Sequence, residues 1–335
     1  MKLRMYPENS ILLAPLSGYT DLPYRRSARR YGCRFCFTEM IDAGSLAFGN
    51  DKTLRYMERG ADEEWLGVQL VGSNPEFIKR AVEVLNEREF DVLDFNLGCP
   101  VPKVAKKEAG AKLGKNIKRA VEIFSIIAEK SRFPVTAKIR ILDETDPEPT
   151  LELVSGLAQA GARAVTIHGR IMKSFYSGPV FADIIRAASS SLPVQVIANG
   201  GITNWRNRNE LQKKSDCDCV MLARGAMGNP WIFRELCDQK EYQPPTPAEL
   251  AGELERHMLE LINYLGAELA MKAGRKIILD YLKSRGFTGS VKAEVSSLKT
   301  ALDFENFMKV VRRGPSERYR IWLNSNPDAD RRLRF

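Results

Sequence analysis

Histidine is almost missing from this chain: there are two in 335 residues, His168 and His257. That argues against a histidine-built metal centre. The spacings Cys33-x-x-Cys36 and Cys217-x-Cys219 are at most half-sites that no histidine completes, so structural cysteines are the better reading. No apolar run approaches the ~18 residues of a membrane-spanning helix, so no span is expected. The stretch Met1-Lys2-Leu3-Arg4-Met5-Tyr6-Pro7 is too short and polar for a signal peptide. Six cysteines do not make the dense framework of a small secreted domain and point instead to free thiols in a reducing cytoplasm. A Gly-x-Gly-x-x-Gly turn after the first apolar run is also missing, which weakens a dinucleotide-binding Rossmann reading. Acidic residues are the minority, 42 against 51 Lys and Arg, and the net charge of +9 favours a polyanionic partner without specifying one.

What is present is a series of short apolar runs: Ile11–Leu16, Arg34–Met40, Trp65–Val71, Val92–Leu97, Val135–Ile141, Ala164–Ile167, Val194–Ala198 and Cys219–Leu222. They are near-continuous rather than alternating, as strands covered on both faces should be. Helical patterns separate them, for example over Pro75–Asn86, Ile117–Lys130 and Leu151–Ala160. Eight such units match the count and size of a TIM barrel, and a doubly wound open sheet is the structural alternative. Composition shifts at Gln243-Pro244-Pro245-Thr246-Pro247, beyond which the pattern is helical over Ala248–Met271, Gly274–Arg285, Val291–Leu298 and Leu302–Val311. The expected α/β architecture is a TIM (β/α)8 barrel over residues 1–242 and a small all-helical domain over 243–335.

The runs end in polar and glycine-rich turns, which a barrel gathers on one rim. These ends supply Pro15-Leu16-Ser17, Gln69, Asn96, Cys99, Lys138, Arg140, His168, Arg170, Asn199-Gly200-Gly201 and, after Ala223, Arg224-Gly225. Turns after the seventh and eighth strands commonly hold a phosphate through backbone N–H groups. Lys138 can sit beside an electron-rich ring, and Gln69 and Asn96 can bond ring carbonyls and N–H groups. The set suits a flavin mononucleotide (FMN), although Lys138 or Arg140 alone could be a simple barrel charge. Cys99 lies in Asn96-Leu97-Gly98-Cys99-Pro100, followed by a basic run from Lys103 to Arg119 with seven Lys or Arg against one acid, Glu108. It reads equally as a reactive thiol facing a polyanion or as a small buried cysteine. From Lys309 to Phe335 eight Lys or Arg stand against three acids, either a solvated face or a nucleic-acid contact.

Taken together, Ala14-Pro15-Leu16-Ser17-Gly18-Tyr19-Thr20-Asp21, Val68-Gln69-Leu70, Asn96-Leu97-Gly98-Cys99-Pro100, Lys138-Ile139-Arg140, His168-Gly169-Arg170, Tyr176-Ser177-Gly178, Asn199-Gly200-Gly201-Ile202 and Arg224-Gly225-Ala226 resemble the tRNA-dihydrouridine synthase family. The likeness runs in order from near residue 12 to about 233. Leu16 and Leu97 stand where Met is usual, Ala223 where Gly is common, Gly201 where Asp is common, and Ile277 where His often follows the Arg-Lys pair. The resemblance implies a flavin-dependent oxidoreductase that uses NADPH and FMN to reduce the C5–C6 double bond of a uridine. The RNA is tRNA or, alternatively, rRNA. Cys99 would be the general acid that protonates C5. Pro15, Leu16, Ser17, Gln69, Asn96, Lys138, His168, Asn199, Gly200, Gly201, Ala223, Arg224 and Gly225 would hold FMN. Arg140, Arg170, Lys103, Arg275 and Lys276 would hold the RNA, the last two opening a helix at Gly274. A monomer with no metal and no membrane contact is expected. Two alternatives stay open: a reductase or dehydrogenase of a free pyrimidine such as dihydroorotate, and a non-catalytic RNA-binding protein on a barrel.

Overall fold

In the computed structural model, residues 4–326 and 332–333 are described. Every one of the expected apolar runs is a strand: β1 Ile11–Leu13, β2 Phe35–Asp42, β3 Leu66–Val71, β4 Val92–Leu97, β5 Val135–Arg140, β6 Ala164–His168, β7 Gln195–Asn199 and β8 Cys219–Leu222. They pair in parallel, in sequence order, and β8 closes on β1 through Leu12 opposite Met221, so the sheet is a barrel. Closure removes the sheet edges and leaves the strands largely buried on both faces, which is why the runs are mostly apolar.

The barrel interior is packed, not hollow. Tyr6, Leu12, Phe35, Phe37, Val92, Ile197 and Met221 belong to one buried cluster. Gly67 is needed there: a Cβ on it would lie 2.5 Å from the Phe37 ring and 2.8 Å from Val92. The amino-terminal end is plugged by Tyr6, whose N–H and C=O both bond the amide of Gln195 at 2.9 Å.

By packing, the chain forms two compact units, one of Met1–Leu22 and Cys33–Ala223, the other of Pro23–Gly32 and Arg224–Phe335. The division after Ala223 precedes the composition change at Gln243. The second unit is helical, with helices Pro247–Leu265, Ala267–Leu282, Ala301–Arg313 and Glu317–Ser325 as its longer pieces. Thr246 starts the first of them with a capping box to Glu249 and Pro247 in the first turn. Leu254, Met258, Tyr281, Phe304, Phe307 and Val311 are among its buried core. The segment Pro23–Gly32 is tied in by charge: Arg30 donates to Glu253 and to Glu260, both at 2.7 Å, and Ser27 donates to Glu253 at 2.7 Å.

One expected helix is corrected. Ala248–Met271 is not continuous, because Gly266 takes φ 79° and separates two helices. Gly274 therefore opens no helix; it lies inside Ala267–Leu282, where a Cβ would come within 2.4 Å of Met258. Its small size permits close helix packing rather than a helix start.

Candidate active site

Toward the carboxyl ends of the strands the inward-facing residues turn polar. Asp94 on β4 is buried, and each of its oxygens accepts one hydrogen bond: Oδ2 from Gln69 Nε2 and Oδ1 from Thr136 Oγ1, both at 2.7 Å. Asn96 Nδ2 donates to Gln69 Oε1 at 2.7 Å, and Asn96 Oδ1 accepts from the backbone N–H of Gly98 at 3.1 Å and of Cys99 at 2.9 Å. A continuous relay therefore runs from a buried carboxylate through two amides to the Cys99 turn. Burial raises the Asp94 carboxyl to about 6, against the opposing pull of Thr136, Gln69 and Lys138.

The turn is pinned from other sides as well. Arg140 Nε donates to Gly98 O at 2.8 Å, and Cys99 O accepts from Ala111 N at 3.0 Å. Gly110 takes φ 62°, and a Cβ there would stand 2.7 Å from Cys99 O, so that close approach requires glycine. The thiol itself is partly exposed. Burial pushes its pKa up, and this outweighs the hydrogen bond from Val101 and the charges of Arg140 and Lys138 that pull it down. The thiol is thus protonated at neutral pH, a state suited to proton donation and poorly suited to nucleophilic attack.

Lys138, at the rim on β5, donates to Asn199 Oδ1 at 2.9 Å, and Asn199 is oriented in turn by its own bond to Met221 O at 2.7 Å. Burial, with Arg140 second, lowers the Lys138 pKa to about 8. Among the described residues no carboxylate pairs with this ammonium at ion-pair distance. Arg170 sits beside His168, Nη1 to Nε2 at 3.2 Å, and holds Gly178 O with its other nitrogens. Arg140 also lies over the Tyr176 ring at 5.5 Å. After β7, Gly200 and Gly201 both have positive φ, 127° and 72°. A Cβ on Gly200 would come within 2.9 Å of His168 Cδ2. The loop after β1 carries Pro15, Leu16 and the exposed Ser17, and its Gly18 N–H donates to the buried Glu39 at the β2 bulge.

These features fit FMN. An ammonium bonded only to a neutral amide suits an electron-rich ring edge, and a side-chain-free turn after β7 suits a phosphate. Of the expected residues, the barrel unit brings together Gln69, Asn96, Cys99, Lys138, Arg140, His168, Arg170 and Asn199. Ala223 ends the barrel unit, while Arg224 and Gly225 form a short 3-10 turn that opens the second. Arg275 lies in helix Ala267–Leu282, bonded to Leu298 O at 3.0 Å, and Lys276 is half-buried next to it. Lys103 is exposed, as are Lys106, Lys115 and Lys118; elsewhere in that run Lys107 pairs with Asp42 at 2.8 Å and Arg119 with Glu122 at 2.7 Å. In the basic tail Lys309, Arg312, Arg313 and Arg318 are exposed, Arg312 being paired with Glu255, while Arg331 and Arg334 lie outside the described residues.

Sequence reasoning missed Asp94, Glu39 and Thr136. For Asp94 and Glu39 the signal was a charge inside an otherwise apolar strand run, since a strand buried on both faces admits a carboxylate only with partners; Thr136 is one such partner.

Comparison with known proteins gives a consistent answer. A family model described as dihydrouridine synthase matches residues 12–313. The chain is similar to the probable tRNA-dihydrouridine synthase of Rickettsia typhi, 30% identical over 325 residues that cover 95% of this chain and 97% of the relative. It is 33% identical over 277 residues to the corresponding protein of Rickettsia conorii, covering 81% and 83%. To tRNA-dihydrouridine synthase B of Proteus vulgaris it is 29% identical over 322 residues, covering 92% and 100%.

Proposed function

The chain belongs to the dihydrouridine synthase family, and on that premise we propose that it reduces the C5–C6 double bond of uridines in tRNA to 5,6-dihydrouridine. Bound FMN supplies the hydride, and NADPH supplies the reducing equivalents. The observation that carries this reading is Cys99, whose thiol is partly exposed, protonated at neutral pH and set on a turn fixed by Asn96, Arg140 and Gly110.

The protein's own residues have distinct tasks. Cys99 Sγ gives its proton to C5 of the uracil as negative charge develops there. Arg140 and Arg170 hold and polarise the uracil carbonyls. Lys138, aimed by Asn199, offsets negative charge on the flavin ring, and Gln69 and Asn96 fix the ring's polar edge. The Gly200-Gly201 turn and Ala223 hold the phosphate; Pro15, Leu16, Ser17 and His168 complete the cofactor contacts. A stacked base cannot present its face to a ring, so the target uridine is taken out of the stack. Exposed lysines of 103–118 hold neighbouring phosphates, as do Arg275, Lys276 and the basic residues after Lys309. Residues 1–242 carry the chemistry, and residues 243–335 add further RNA contacts.

The test is reconstitution. Purified protein is incubated with FMN, NADPH and an unmodified tRNA transcript, and nucleosides are read by mass. Dihydrouridine should form only with both FMN and NADPH present. Reduction of free pyrimidines with tRNA left untouched would overturn the reading.

A further inference from the structure

The Asp94 carboxylate lies beneath the proposed cofactor contacts and touches none of the expected reacting atoms. Its hydrogen bonds go to Gln69 and Thr136. A carboxylate accepts hydrogen bonds and cannot donate one. Gln69 must therefore turn its NH2 to Asp94 and its carbonyl to Asn96, and Asn96 must turn its NH2 to Gln69. That leaves the Asn96 carbonyl facing the turn, where it receives the N–H groups of Gly98 and Cys99. If either amide were reversed, two donors or two acceptors would face each other in a buried site. We propose that Asp94 is a positioning residue: by fixing the direction of the Gln69 and Asn96 amides it holds the Cys99 turn in place for proton transfer. This rests on the reading of Cys99 as the proton donor, and the role concerns donor–acceptor direction rather than charge.

The test uses the full chain and the variants Asp94→Leu, Asp94→Asn and Gln69→Met. Labelling by iodoacetamide at neutral pH is followed cysteine by cysteine, with the exposed Cys237 as internal reference and the buried Cys33, Cys36, Cys217 and Cys219 as reporters of folding. A loosened turn solvates the thiol, which both exposes it and raises its thiolate fraction. In Asp94→Leu the labelling of Cys99 relative to Cys237 should rise about tenfold, equivalent to 1.4 kcal/mol, the size of one lost buried hydrogen bond. Asp94→Asn keeps a carbonyl facing Gln69 and should stay within about twofold of wild type. With tRNA, kcat for uridine reduction should fall about tenfold in Asp94→Leu with KM nearly unchanged, and Asp94→Asn should restore most of it.

Wild-type labelling of Cys99 in Asp94→Leu would overturn the proposal, as would Asp94→Asn labelling as fast as Asp94→Leu. If the four buried cysteines also label in Asp94→Leu, that variant has unfolded, and Gln69→Met decides in its place. It breaks the relay in the middle and should give the same rise; no rise overturns the proposal. Because labelling is read without turnover, faster labelling with unchanged uridine reduction would refute the donor reading of Cys99 and leave the relay standing.

Discussion

Lys138→Met should make the flavin-free protein more stable while removing its affinity for flavin. Burial and the neighbouring Arg140 depress the Lys138 ammonium from 10.5 to about 8. A lowering of about 2.5 pH units at 1.36 kcal/mol each is a cost of about 3 kcal/mol borne by the folded state. The sign follows from linkage: between about 8 and 10.5 the unfolded chain binds more protons at this site, so wild-type stability rises with pH across that window. The cost is therefore fully present below about pH 8 and gone above 10.5. Met has similar length and carries no charge. It leaves Asn199 Oδ1 without the donor now 2.9 Å away, an opposing loss of about 1 kcal/mol. The net expectation is a gain of about 2 kcal/mol at pH 7 that disappears, or turns into a small loss, near pH 10.5. Urea unfolding of flavin-free wild type and variant at both pH values measures this; groups distant from Lys138 titrate alike in the pair and cancel, and the coupled Cys99 thiol adds only a smaller difference. A variant less stable than wild type at pH 7, or a difference independent of pH, refutes the reasoning. Loss of flavin binding in the stabilised variant would then identify Lys138 as a charge retained for function at the expense of stability.

Cys99→Ala should keep its flavin and be reduced by NADPH at a near-normal rate, since neither step uses the thiol. Reoxidation by tRNA in stopped flow should fall by about 10²- to 10⁴-fold, the range for losing a general acid, and a wild-type rate would end the donor assignment. Replacing the exposed Lys103, Lys106, Lys115 and Lys118 together by Ala should leave stability nearly unchanged. The slope of log tRNA affinity against log salt should shrink by about 0.7 to 0.9 for each phosphate that is no longer neutralised; an unchanged slope would take this run out of the RNA interface.

The barrel was legible in the amino-acid order because each of its strands announces itself locally. A parallel strand buried on both faces has to be a short apolar run, and the turn beyond it has to break that run with Gly, Pro or a polar residue. The order of the runs then set the order of the strands, and the residues at their ends, from Gln69 to Asn199, marked the rim. The helical unit was less legible. Gly266 and Gly274 look alike in sequence, yet the first breaks a helix by taking a positive φ and the second lets two helices approach.

Three things belonged to the tertiary structure alone. The segment Pro23–Gly32 joins the helical unit through Arg30 and the distant Glu253 and Glu260, a pairing that no local pattern encodes. The relay from Asp94 through Gln69 and Asn96 to Cys99 joins side chains of the adjacent strands β3 and β4, whose register exists only once those strands have paired in the fold. The direction of the Cys99 thiol's pKa is set by the fold as well: basic residues follow it in sequence, yet burial raises it. Charges near in sequence act through distance, but desolvation acts through burial, and burial is a property of the folded chain.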